Sequence, residues 1–257
     1  MRFPRFTKIF LTVLLVPGLT AAPVCFAAED PGSRDQCIIL LHGLARSSVS
    51  MKAIEWRLEE EGYFVVNNSY PWLGKSIEEI APPAVEEGLA ECREAGKTRV
   101  GFVTHSMGGI VLRLYLQSQS IPGMGRVVML APPNQGSMMA DQLMANGMIE
   151  PLLPEPARQL GTGEESVPKK LGPVNFELGI IAGTNTRSIA SVGLDEVEND
   201  GTVAVEETYV EGMQDIIVMP VDHSFLMWRD AVLDQVVQFL RHGNFDHERT
   251  EVQQAGD

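Results

Sequence analysis

The chain has 257 residues, 44% of them hydrophobic and 21% charged, which is enough apolar material for one large core and too much for a disordered chain. Its formal net charge of −14 excludes the Lys- and Arg-rich surface that nucleic acid requires, so no nucleic-acid partner is expected. No fixed-period repeat or low-complexity tract is present, which excludes a solenoid.

Residues 1–27 read as a targeting segment. Arg2, Arg5 and Lys8 precede an apolar run over residues 9–16, and small residues lead to Cys25-Phe26-Ala27, which fits signal-peptidase cleavage. The run is too short to span a bilayer. Export to the periplasm or beyond is therefore expected. Cleavage would remove three cations and take the formal charge from −14 to −17.

From Gln36 onwards, strand, loop and helix alternate. Residues 37–41 form a continuous apolar run ending at His42-Gly43, the signature of a strand buried on both faces. Met51, Ile54 and Leu58 fall at helical spacing, with Gly62 as the stop, and residues 63–66 read as the next strand. Ser76 and Glu79 make a capping box for a helix whose apolar face is Ile77, Ala81, Val85, Leu89 and Cys92. Pro82 and Pro83 predict a kink or a restart in that helix.

Residues 100–104 are a third strand, running into His105-Ser106-Met107-Gly108-Gly109 and a helix through Gln117. Residues 126–130 and 178–182 are two more, and at least one further strand lies within 208–220. Ser224 is expected to cap a last helix ending before Gly243, ahead of a polar tail over 244–257. This alternation predicts an α/β fold with a mainly parallel sheet, helices on both faces and right-handed crossovers. Residues 28–257 are expected to form one domain, with its core in 36–243.

Ser106 carries the sharpest chemical signal. It sits where a strand gives way to a helix, with Gly108 two residues on, as a nucleophile elbow requires; Thr104 occupies the position where G-x-S-x-G has its first glycine. A serine hydroxyl needs a base. Of five histidines, His42 and His105 flank motif residues and are expected to point away from the serine, while His242 and His247 lie in polar sequence at the end. His223 follows a late strand, on the edge where open α/β sheets place ligands. The acid that orients it is expected between a late strand and His223. Asp200 in Asn199-Asp200-Gly201-Thr202-Val203 fits, followed by a return to extended structure, with Asp195 in reserve. The backbone N–H groups of Leu44 and Met107 are assigned to an oxyanion hole.

The segments CIILLHGLARSS, VTHSMGGIV, VVMLAPPNQGS, NDGTVAVEET and PVDHSFL resemble bacterial lipase- and esterase-like α/β-hydrolases with a T-H-S-M-G-G or A-H-S-M-G-G elbow. The resemblance covers roughly residues 36–243, with its motifs in the family's order. It implies the α/β-hydrolase fold, hydrolysis of carboxylic esters through an acyl-enzyme, and a triad of Ser106, Asp200 and His223. The resemblance itself names no substrate; a small ester or lipid is the expected substrate class, with transient contact at a membrane surface, and no cofactor or metal is expected. Acyl transfer by the same triad, or a non-catalytic member binding an acyl ligand or protein, are the alternatives.

Residues 134–177, with Met138, Met139, Leu143, Met144, Met148, Ile149, Leu152 and Leu153, are expected to form a lid or pocket wall. Trp72 is a second candidate for the pocket mouth. In this fold Cys37 and Cys92 lie towards the N-terminal ends of neighbouring strands. A disulfide and two buried thiols are equally open there.

Overall fold

The computed structural model describes residues 35–186, 194 and 197–248. The targeting segment, Asp195 and the end of the polar tail fall outside them. In chain order the elements are β1 (Gln36–Leu41), α1 (Lys52–Glu60), β2 (Phe64–Val66), α2 (Ile77–Glu94), β3 (Arg99–His105), α3 (Met107–Ser118), β4 (Met124–Leu130), α4 (Met138–Ala145), α5 (Glu155–Arg158), α6 (Val167–Lys170), β5 (Leu178–Gly183), β6 (Asp215–Met219) and α7 (Asp230–His242). The strands form one parallel sheet in the order β2-β1-β3-β4-β5-β6. This is the α/β sheet expected from the alternating pattern.

Period-two alternation divides the core between the two faces. Cys37, Ile39 and Leu41 of β1 pack with Phe102, Met129 and Ile180 beneath α2 and α3. Ile38 and Leu40 pack with Val103, Val128, Leu130 and Ile181 against α1 and α7. All six residues of β1 are buried, because the helices on each side leave neither face to water.

Of the kink or restart expected in α2 the restart is absent, and the expected cap of the last helix is corrected. α2 has the capping box at Ser76 and Glu79, yet runs unbroken through Pro82 and Pro83 with no restart. The prolines cannot donate to the carbonyls of Glu78 and Glu79, but all four residues lie on the exposed side, where water can serve those carbonyls. Ser224 does not cap the last helix. A short 3-10 turn (Leu226–Trp228) intervenes, and α7 starts at Asp230. Ser224 instead takes a hydrogen bond from Arg46.

A disulfide joins Cys37 at the start of β1 to Cys92 near the end of α2, with their Cα atoms 5.8 Å apart. It ties strand to helix across a separation of 55 residues, far from the strands' C-terminal ends. Closing a loop of that length is worth about 4 kcal/mol in the chain-entropy model. Reduction is therefore expected to lower the midpoint of thermal unfolding by on the order of 10 °C. A scan with and without reductant checks this, and an unchanged midpoint would show that the bridge contributes nothing.

Candidate active site

At the C-terminal end of β3, the chain turns so sharply that Ser106 is held at φ 52° and ψ −123° before α3 begins. Its N–H donates to the Leu130 carbonyl at 2.8 Å, anchoring the turn to β4. The crossing is tight: a Cβ on Gly108 would lie 2.3 Å from the carbonyl oxygen of Leu41, so only glycine fits there. Thr104, two residues before the serine, is tolerated because its side chain faces Gly109, which presents no Cβ to it. Gly43 serves the same end on the neighbouring loop, where a Cβ would come within 3.1 Å of that of Ser106.

Strain is concentrated here. Among the described residues, the non-glycine residues with positive φ are Ala45, Ser106 and Ala131, and all three follow the C-terminal ends of β1, β3 or β4. Such conformations cost about 1–3 kcal/mol each and persist where surrounding packing holds them.

His223 lies beyond the C-terminal end of β6. Its Nδ1–H donates to Oδ2 of Asp200 at 2.7 Å, and its backbone N–H donates to the Asp200 carbonyl at 2.9 Å. This fixes the tautomer and leaves Nε2 with a free lone pair. Asp200 is fully buried, and its other carboxylate oxygen accepts the N–H groups of Thr202 (3.0 Å) and Val203 (2.8 Å). Residues 201–203 do not return to extended structure. They close a turn sealed by the Asn199–Ala204 bridge, because the Asn199 side chain takes the N–H of Gly201 and the Asp200 carboxylate those of Thr202 and Val203, leaving none for a strand partner.

Ser106 and His223 line one cavity of about 440 Å³, together with Leu44, Ala45 and Arg46 from the loop after β1. The opposite wall is Met139, Ala140, Leu143, Leu153, Ala157 and Leu160. Part of the 134–177 segment thus walls the cavity, while Met148 and Leu152 stand in solvent. Trp72 is not among the lining residues; it packs against the core beneath α2. Leu44 lines the cavity, and Met107 is the first residue of α3, whose early N–H groups have no carbonyl within the helix.

His105 corrects the sequence reading. It does not point away from the site. Its ring lies 4.7 Å from that of His223, and its Nε2–H donates to the His223 carbonyl at 3.0 Å. Burial, then the neighbouring His223, holds its pKa well below the ordinary value, so it stays neutral. Alternation along β3 places it with Val103, on the face that receives the loop before α7. Without that loop's position the sequence offers no signal for it. His42 does point away, stacked on Tyr70 and accepting the Tyr70 N–H at 3.2 Å.

Two buried charges hold the wall in place. Arg113 of α3 donates to both the carbonyl and the side chain of Asn134, and to the carbonyls of Leu171 and Gly172, clasping both ends of the segment between them. Glu207 accepts the N–H groups of Met138 at the start of α4 (2.6 Å) and of Ala204 (2.8 Å). Burial pushes its carboxyl up to about 7, aided by the charges of Asp200 and Glu206 and opposed by those two N–H bonds. A folded pKa above the unfolded one means that Glu207 contributes most below about pH 4.5 and loses that contribution as pH rises through 7. Wild type is therefore expected to lose up to about 3 kcal/mol relative to Glu207→Gln between those limits. Parallel unfolding titrations read this difference, and a flat one would exclude Glu207 as the titrating group.

No protein-family model matches the chain, and no curated protein matches it in sequence. Solved structures do. The mature form of a Bacillus licheniformis lipase aligns over 83% of this chain and 94% of its own, with TM-score 0.64 and 19% identity. A Pyrococcus furiosus esterase aligns over 82% of each chain, with TM-score 0.54 and 21% identity. A phospholipase from Legionella pneumophila aligns over 84% of this chain and 61% of its own, with TM-score 0.61 and 14% identity. With the all-parallel sheet and the elbow at the end of β3, these likenesses show that the chain has the α/β-hydrolase fold.

Proposed function

We propose that the protein is a serine hydrolase that cleaves carboxylic esters through an acyl-enzyme. The observation that carries this reading is the pairing of His223 with a fully buried Asp200, beside a strained Ser106 that opens on the same largely apolar cavity. The structural neighbours, a lipase and an esterase, point the same way.

In this mechanism His223 Nε2 takes the proton of the Ser106 hydroxyl as Oγ bonds to the ester carbonyl carbon. The carbonyl oxygen becomes an oxyanion, met by the N–H groups of Leu44 and Met107. Asp200 stabilises the imidazolium. Collapse breaks the bond to the alcohol oxygen, which leaves with the proton held by His223. Water then repeats the sequence on the acyl-enzyme, releasing the acid and restoring Ser106. Neutral His105 adds no positive charge beside the imidazolium.

An alkyl fluorophosphonate is expected to add one phosphonyl group, located by peptide mass at Ser106, and to abolish hydrolysis of p-nitrophenyl butyrate. An unlabelled Ser106 in protein that still hydrolyses the ester would overturn the assignment. We also read the chain as exported. The leader pattern of residues 1–27 and the Cys37–Cys92 bridge, which suits an oxidising compartment, support this.

A further inference from the structure

The charge of the cavity is at odds with that of the chain. The sequence has 34 acidic residues against 20 Lys and Arg, yet among the described residues no carboxylate lines the cavity and Arg46 is the one Lys or Arg that does. Its guanidinium donates to the Ser224 hydroxyl at 2.9 Å. Among the described residues no carboxylate lies within ion-pair distance of it. The lining is therefore chemically mixed: Met139, Ala140, Leu143, Leu153, Ala157 and Leu160 are apolar, while Arg46 and Ser224 bring a cation and a hydroxyl.

The position of that cation is informative. Ser224 directly follows His223, which in the proposed mechanism hands its proton to the departing alcohol. Taken with the role proposed for His223, this neighbourhood argues for Arg46 on the alcohol side of the scissile bond and leaves the apolar lining residues for the acyl group. Ala45, with φ 56°, lines the cavity immediately before Arg46, so the backbone at this loop is specially shaped rather than extended. Arginine presents a planar fork of donors suited to phosphate or carboxylate.

We infer that Arg46 is a specificity residue, and that the substrate is an ester whose alcohol portion carries an anionic group, phosphate or carboxylate. This rests on the serine-hydrolase reading for the orientation of the ester. The anion would sit between the guanidinium and the Ser224 hydroxyl at the rim, with the acyl chain along Met139, Leu143 and Leu160. The exposed setting of Arg46 limits the gain to about fivefold to tenfold in affinity, and the gain would fall with salt.

The test uses the full-length protein carrying Ser106→Ala, so that esters bind without turnover. Calorimetry would compare 1-butyrylglycerol with 1-butyrylglycerol 3-phosphate and with 3-butyrylglycerate. The anionic esters are expected to bind about fivefold to tenfold more tightly than the neutral one. Adding Arg46→Gln is expected to erase that ratio, and Arg46→Glu to invert it. A preference confined to the phosphate or to the carboxylate identifies the anion, and a palmitoyl analogue below its micellar concentration distinguishes a single-chain lipid from a small soluble ester. Equal affinity for neutral and anionic esters, no binding of either, or a preference that survives Arg46→Gln overturns the inference. The serine-protein is assayed for hydrolysis in parallel. Failure to hydrolyse any of these esters alongside an Arg46-dependent preference would refute the hydrolase reading and leave the anion subsite standing.

Discussion

Ser106→Ala is expected to reduce ester turnover by roughly 10⁴- to 10⁶-fold while leaving the fold intact. The loss is large because no other group can form the bond to the carbonyl carbon. Positioning by the cavity and by the oxyanion donors proposed at Leu44 and Met107 would remain, but would then act only on water. Folding should be unaffected, since the elbow is held by the bond from the Ser106 N–H to Leu130 and by the close approach of Gly108 to Leu41, both of which alanine keeps. Alanine also accepts the positive φ no worse than serine. Steady-state rates with p-nitrophenyl butyrate, together with circular dichroism of the same preparation, decide the matter. Full turnover by the variant would refute the role of Ser106.

Asp200→Asn is expected to cost about 10⁴-fold in kcat with little change in stability. The wild-type carboxylate accepts from His223 Nδ1 through one oxygen and from Thr202 and Val203 through the other. Asparagine can keep the second set through its carbonyl oxygen. Its amide would then face Nδ1 with a donor, driving the ring proton to Nε2, the atom that must accept from Ser106. The charge that stabilises the imidazolium disappears as well. Raising pH should not rescue the variant, because the fault is one of tautomer and charge. Activity within tenfold of wild type would point to another carboxylate, Asp195 being the next candidate from sequence.

Much of this architecture is legible in the linear pattern. Strands buried on both faces are written as short continuous apolar runs, as in residues 37–41, and amphipathic helices as 3.6-residue spacing. The elements therefore lie within a few residues of where the sequence reading puts them. The turn around Ser106 is equally local, since it needs small residues at fixed offsets from a strand end. The capping box at Ser76 and the stop at Gly62 are local for the same reason. The short-range rules fail where a neighbour's position decides. Pro82 and Pro83 break nothing because their unmet carbonyls face water, and Ser224 caps nothing because it belongs to the cavity rim.

What the sequence by itself determined was a parallel α/β sheet, an elbow at Ser106, and a short set of histidines and acids from which partners could be drawn. Only the tertiary structure decided which of them meet. Sheet order depends on crossovers that no local pattern encodes, and it is the loop beyond β6 that lays His223 against Asp200 and beside His105. Arg113 clasping residues 134 and 171–172, Glu207 under the start of α4, and Arg46 against Ser224 join positions from 21 to 178 residues apart. Their roles arise from burial and proximity, which are properties of the packed chain and leave no trace in spacing or composition.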